Sequence, residues 1–382
     1  MQKEIIQVIV FSVPAMCALS CMIILCIDVF HPGKNRKERQ LRLFLMLTYS
    51  VAMLCWTGLI LQVAFHRAFV HYHPIFFFTL MMDQVLIYRF VHLITAVRGG
   101  DRFNFLHIAV PVILATLLVA SVPLIPSETR LEILYNADGN FDNPLYSVLN
   151  KISGIVFIVY NILYPVLGLA RIRRYRYAIV NYSADTQRTS LNWLTILQIL
   201  TLLTIPIPLA GMLLNMAVFS NFWTSIQGVL PTFFVYPLLC YNLLSDNYEI
   251  MTSTGDESLP LPDQITGDES FSGKSSAIDP KRFDKYLKDK QPYLNPKIHI
   301  TDFASALQTN TKYVSACINN RYKMNFSSFI NSLRLEELER LRKSTQMQSH
   351  DNMDIILMSG FSNYRSYLRA KKTQDRAKLL KV

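Results

Sequence analysis

The sequence predicts an all-α chain, a seven-helix transmembrane bundle followed by a basic helical module in the cytoplasm. Three observations predict it. Seven apolar runs of about 20 residues fill the chain up to residue 245, each long enough to cross a hydrocarbon core of about 30 Å. Charge is partitioned: residues 1–245 carry 17 Lys and Arg against 10 Asp and Glu, residues 246–273 carry 7 acidic and no basic residues, and residues 274–382 carry 21 basic and 10 acidic residues. Beyond residue 280 apolar side chains recur at helical spacing within polar, basic sequence. A basic terminal region of this size suits a polyanionic partner or a membrane surface.

The spans are expected near 5–29, 41–64, 75–97, 103–125, 147–169, 190–213 and 223–244. The first has no early basic region and runs into "HPGKNRKERQLR" rather than a small-residue cleavage site, so it reads as a span and not as a removable signal. Orientation follows from the Lys and Arg bias of short loops. Lys34, Arg36, Lys37, Arg39 and Arg42 follow span 1, Arg98 and Arg102 follow span 3, and Arg171, Arg173, Arg174, Arg176 and Arg188 follow span 5. The opposite side holds only Lys3, Arg67, Arg130 and Lys151. The N-terminus is therefore expected outside a cell inner (cytoplasmic) membrane, and seven spans deliver the C-terminus to the cytoplasm.

Within the spans, Pro14, Pro111, Pro123, Pro165, Pro206, Pro208, Pro231 and Pro237 are ordinary for membrane helices and also suit a kinked bundle with a cavity. Span 3 carries the deep ionisable residues Asp83, Arg89 and His92. Charges at that depth are costly and face a bundle interior or water. At 100° per residue Asp83 and Arg89 do not share a face, whereas Arg89 and His92 do. Two readings stand: a ligand- or ion-sensing group, or Asp83 bonded to a neighbouring helix with Arg89 reaching the interface. The outer 4–5 loop, "PSETRLEILYNADGNFDNPLYSVLNK", reads as solvated or as a cap over a cavity. Five of the six cysteines sit in apolar runs and Cys317 lies in a later helix, a pattern of apolar packing without metal-ligand spacing.

Residues 246–279, rich in Ser, Gly, Asp and Pro, read as an acidic flexible linker. Helical patterning resumes with "PKRFDKYLKDK", which has Pro280 in its first turn and Phe283 and Leu287 at i, i+4. Thr301 or Asp302 can cap a helix carrying Phe303, Ala304 and Leu307, "QTN" makes a turn, and Asn310 or Thr311 caps a second helix with Val314 and Ile318 inward. That leaves Thr311, Lys312, Tyr313, Ser315, Ala316 and Asn319 outward, with Arg321 near the end, a surface of phosphate donors and base-edge readers.

The unit "TDFASALQTNTKYVSACIN", the segment "NFSSFINSLRLEELERL" (Asn325 to Leu341) and "GFSNYRSYLRAKK" (Gly360 to Lys372) together resemble the DNA-binding domain of AraC/XylS-type transcription regulators. The resemblance covers under a quarter of the chain. It implies two helix-turn-helix units over about 280–375, joined by a linker helix, with a basic tail at 376–382. It also implies recognition helices entering successive major-groove segments of double-stranded DNA about one turn apart. The linker helix carries Phe326, Phe329, Ile330, Leu333, Leu338 and Leu341 as an apolar stripe, and Arg334 can satisfy carbonyls or acids between the subdomains. In the second unit Gly360 makes the turn, Phe361 plugs the core, and Asn363, Arg365, Ser366 and Arg369 are left for DNA. Departures are Ile356 where the family has a small alanine, Lys371 where a Phe is expected, and "TQDRAKLLKV" in place of the Gly-x-x-Pro ending.

The function expected is a membrane-bound transcription regulator. A signal ligand of unknown identity acts on the bundle and alters its packing or its self-association as a homodimer. The rival is a membrane transporter or receptor whose degenerate tail serves regulation or protein contacts. No phosphate-binding glycine loop, HExxH or G-x-S-x-G pattern is present, so neither an enzyme nor a cofactor or metal is expected.

Overall fold

A computed structural model describes residues 2–30, 36–97, 101–135, 144–185, 188–204, 222–251, 278–344 and 351–379. Among the described residues every regular element is a helix, and one isolated antiparallel bridge joins Ser183 to His299. The chain divides into two compact units. The first comprises Met1–Ile94, Arg102–Ile172 and Asn192–Asp246; the second comprises Thr95–Asp101, Arg173–Leu191 and Asn247–Val382.

The first unit contains α1 (Gln2–Val29), α2 (Arg36–Ala64), α3 (His66–Ile94), α4 (Leu106–Ser121), α5 (Ser127–Tyr135), most of α6 (Pro144–Ile179), α7 (Asn192–Leu202) and α8 (Phe222–Leu244). Five stretches, Glu4–Val29, Arg36–Ala64, His66–Ile94, Leu106–Leu124 and Leu145–Ile179, are long and apolar enough to cross a membrane. Of the span expected at 190–213, the structure describes the 11-residue α7, and residues 205–213 lie outside the described residues, Pro206 and Pro208 with them. In α8 the described apolar helix, Gly228–Leu244, is shorter than those five.

Each long helix has one face turned inward. In α1, Phe11, Ala18 and Leu25 are buried at seven-residue steps, while Ile9, Met16 and Ile27 are 58%, 60% and 71% exposed. An apolar face that open suits lipid tails rather than water. In α2, Leu41, Leu45, Tyr49, Ala52, Trp56 and Leu59 are buried at steps of three and four, the stripe a packed helix needs. The Tyr49 hydroxyl donates to the Tyr236 carbonyl at 2.8 Å and Trp56 Nε1 donates to the Tyr236 hydroxyl at 2.9 Å, tying α2 to α8. Arg42, expected as a loop cation, is instead fully buried: it pairs with Asp28, lies 3.2 Å from Asp246 and donates to the Leu243 carbonyl at 3.4 Å. It links the ends of α1 and α8 to the first turns of α2 through two partly exposed carboxylates and a carbonyl.

Two connections differ from the sequence expectation. Span 3 was expected from residue 75, yet α3 starts at His66 and only Phe65 separates it from α2. Phe69, Val70 and His73 are buried there, so a polar-looking stretch with three histidines is held helical by its apolar face. The 4–5 loop, expected to be solvated, contains α5. Arg130 on that helix is 3% exposed and donates to the Val70 carbonyl at 3.3 Å, and the Tyr135 hydroxyl donates to the Gln62 carbonyl at 2.8 Å. Nine residues are too few to announce a helix by periodicity.

The second unit contains the last turns of α6, then α9 (Pro280–Lys290), α10 (Ile300–Ala306), α11 (Thr311–Tyr322), α12 (Phe326–Lys343), α13 (Asn352–Met358) and α14 (Tyr364–Leu379). Residues 252–277 of the expected linker lie outside the described residues. Residues 247–251 are described, with Tyr248 and Met251 buried. The basic tail expected from 376 continues α14 as helix to Leu379. Asp279, Asn310 and Asn325 cap α9, α11 and α12, their side chains accepting from the amides of Lys281, Tyr313 and Ser328. The cap of α10 is neither Thr301 nor Asp302: the helix begins at Ile300 after His299, whose amide donates to Asp302 Oδ2 at 2.8 Å. Asp302 thus serves as the third-residue partner of a capping box.

Two cores share α12. Phe283, Ile300, Phe303, Val314, Ile318, Phe326, Phe329 and Ile330 are all 2% exposed or less. On the other half, Leu335, Leu338, Leu341, Ile355, Ile356, Phe361, Tyr367 and Ala370 form a second cluster. Ile356, a departure in sequence, is fully buried in that cluster.

Candidate nucleic-acid interface

The residues singled out for base and phosphate contact lie on α11 and at the start of α14, the second helix of each pair. On α11, Lys312 and Arg321 are exposed and Tyr313 and Asn319 are partly exposed, as expected, with Ala316 exposed between them. Thr311 and Ser315 are corrections: at 9% and 8% exposure they lie inward with Val314 and Ile318. Positions 311, 314, 315 and 318 form one stripe of i, i+3, i+4 and i+7, wider than the two positions assigned from hydrophobicity. Arg321 is exposed but committed, bonding both oxygens of Asp284 on α9 at 2.8 and 2.7 Å. That pair holds its proton more firmly than usual.

On α14, Arg365 and Arg369 are exposed, with Lys371 and Lys372 behind them. Ser366 is the third correction, 5% exposed. Asn363 and Ser366 form a reciprocal cap: Asn363 Oδ1 accepts from the Ser366 amide at 2.9 Å and Ser366 Oγ accepts from the Asn363 amide at 3.3 Å. Both were read as DNA ligands, yet here they start the helix that presents Arg365 and Arg369. A polar residue next to a turn carries the same letter for either task. Each of the two helices thus carries exposed cations, with Lys323 also exposed after α11.

Spacing between the pairs is set by α12. Its 18 residues span about 27 Å at 1.5 Å per residue. Arg334, at its middle, is 2% exposed. Its Nε and Nη2 donate at 2.8 Å to the carbonyls of Tyr293 and Asn295, and Nη1 reaches Asn331 Oδ1 at 3.2 Å and the Ala184 carbonyl at 3.5 Å. The carbonyl role expected of this arginine is what the structure contains. Burial pushes its pKa down to about 10, against an opposing pull from Asp185, so it remains charged at neutral pH.

Ala184 belongs to the segment after α6, which sequence reading treated as a basic loop. Within the second unit it supplies helix caps. The Ile300 amide, first in α10, donates to the Tyr182 carbonyl at 2.9 Å, and the Ser327 amide, second in α12, donates to the Val180 carbonyl at 2.9 Å. Both are first-turn amides that a helix cannot satisfy by itself. The Tyr182 ring lies 5.1 Å from the His299 ring, and His299 Nε2 is 3.0 Å from Glu249, which also faces Arg188 at 3.6 Å. Nothing in "VNYSADT" signals this, because the work is done by backbone carbonyls.

No family model, curated protein or solved structure matches the chain.

In the first unit the three residues named for ligand sensing separate into two places. Arg89 Nη1 lies 3.4 Å from His92 Nδ1, and the guanidinium sits 4.6 Å from the centre of the Phe103 ring. Asp83 is elsewhere, lining a cavity with Cys55, Trp56 and Tyr236, and among the described residues its buried Oδ1 has no hydrogen-bond partner.

Proposed function

We propose that the protein is a membrane-bound, sequence-specific DNA-binding transcription regulator. On this reading a seven-helix bundle in the inner membrane anchors and controls a cytoplasmic AraC/XylS-type domain with two helix-turn-helix units. The observation that carries the reading is the pairing of α10–α11 and α13–α14 about the single helix α12, each pair presenting basic side chains from its second helix. Lys312, Tyr313, Asn319, Arg365 and Arg369 are the proposed contacts. Arg321 joins them when phosphate competes with Asp284. Control is proposed to run through the segment after α6, since the same helix that crosses the bundle leads into the carbonyls that cap α10 and α12. A homodimer would present four recognition helices to one operator.

The test uses the full chain in nanodiscs, incubated at physiological salt with a randomised duplex library whose bound fraction is sequenced. A recovered motif is expected, with enrichment falling about 5- to 150-fold at one position for Asn319→Ala, the range of one base-edge contact. Enrichment of no sequence by a folded protein would set the reading aside in favour of a membrane transporter or receptor with a tail for protein contacts.

A further inference from the structure

The cavity in the first unit has a volume of about 100 Å³. One water needs about 10–15 Å³ of such space, so there is room for a ligand of several non-hydrogen atoms. The walls are mostly apolar and aromatic, with Phe11, Trp56, Leu59, Leu80 and Phe157 among the lining residues, and among the described residues no Lys, Arg or His lines it.

The polar groups in the lining are unequal. Asn161 Nδ2 donates to the Phe157 carbonyl at 2.8 Å, Thr204 Oγ1 to the Thr201 carbonyl at 2.7 Å, and Thr232 Oγ1 to the Val229 carbonyl at 2.7 Å. Both threonine hydroxyls and one N–H of Asn161 are thus engaged by nearby backbone carbonyls. Trp56 Nε1 is spent on the Tyr236 hydroxyl. Gln84 and Asp83 remain; Asp83 is the one acid in the described lining, and among the described residues its buried Oδ1 has no donor. A carboxylate in that position carries a large desolvation cost until a donor, best a charged one, meets it. The surroundings select the kind of donor: an indole and two phenyl rings favour a cation with an apolar body over a hydrated metal ion.

We propose that this cavity is a binding site for a small organic cation, a protonated primary amine on a compact apolar body, with the ammonium on Asp83 and the body against Trp56 and Phe157. As the signal of a transcription regulator this rests on the function proposed above; as a binding site it stands on the cavity alone. Arg89 and His92, the other deep groups of α3, belong to a different cluster and take no part.

The experiment is binding of benzylammonium to the full chain in nanodiscs at pH 7 by calorimetry, with no DNA present, so its outcome is independent of the library test. Saturable binding is expected, at least tenfold tighter than that of benzyl alcohol, which has the same ring and no charge. Asp83→Asn, nearly isosteric, is expected to weaken benzylammonium at least tenfold and leave benzyl alcohol unchanged. Since the variant could fail to fold, a second readout uses the unaltered chain. Cys55 lines the same cavity, and its alkylation by N-ethylmaleimide, resolved from the other cysteines by mass spectrometry, is expected to slow when benzylammonium is added. Equal affinity for the amine and the alcohol, or Cys55 labelling indifferent to the amine, would overturn the proposal.

Discussion

Gly360 shows how much one residue can decide. Its φ of +94° lies where an L side chain is strained, and a Cβ there would sit 2.4 Å from the Tyr293 carbonyl oxygen. That same oxygen accepts from Arg334 Nε, so a methyl group would disturb the turn and the buried arginine together. Strained backbone of this kind costs roughly 1–3 kcal/mol before any clash is counted. Gly360→Ala is therefore expected to lower amide protection in α13 and α14 at least tenfold by hydrogen exchange on the full chain. Unchanged protection would mean the turn relaxes freely. The turn role of Gly360 is legible from its neighbours in sequence, but its link to Arg334, 26 positions earlier, is not.

Elements are held in register by groups that carry no sequence signal. α10 and α12 take their missing N-terminal acceptors from Tyr182 and Val180, residues more than a hundred positions away. Lost caps cost about 1 kcal/mol each, and for a unit of this size about 2 kcal/mol corresponds to a melting shift on the order of 10 °C. A soluble fragment of residues 247–382 is expected to melt lower by about that amount than the same fragment with residues 173–191 fused ahead of it, by circular dichroism. Equal melting temperatures would mean the helices find acceptors of their own. The apolar stripe of α12 was legible from its spacing. Residues 311, 315 and 366 were misplaced because a small polar side chain suits a buried stripe as well as a surface.

For the whole molecule, the partition of charge and hydropathy makes a directional statement: basic residues border one end of the apolar spans and dominate the C-terminal third. On the proposed topology, Lys312→Cys, at an exposed position, is expected to react with a membrane-impermeant maleimide in inverted vesicles and not in right-side-out ones. Labelling from the outer face would reverse the orientation. Arg42, one of the cations counted for that orientation, turns out to be a buried clamp on three helix ends. The remaining cations of its loop keep the bias.

The amino-acid sequence by itself determined the helical class, the five long apolar helices among the seven spans expected, and the helical spacing of the basic region, because burial in lipid or in a core imposes a run length or a period that a single chain displays. It also marked Arg334 and Gly360 as structural. Only the tertiary structure decided where Asp83 lies relative to Arg89 and His92, which small polar residues are caps, and that the segment after α6 completes the helices of the second unit. Those outcomes depend on which carbonyls and cavities come together across long separations in the chain, and backbone groups are the same at every residue.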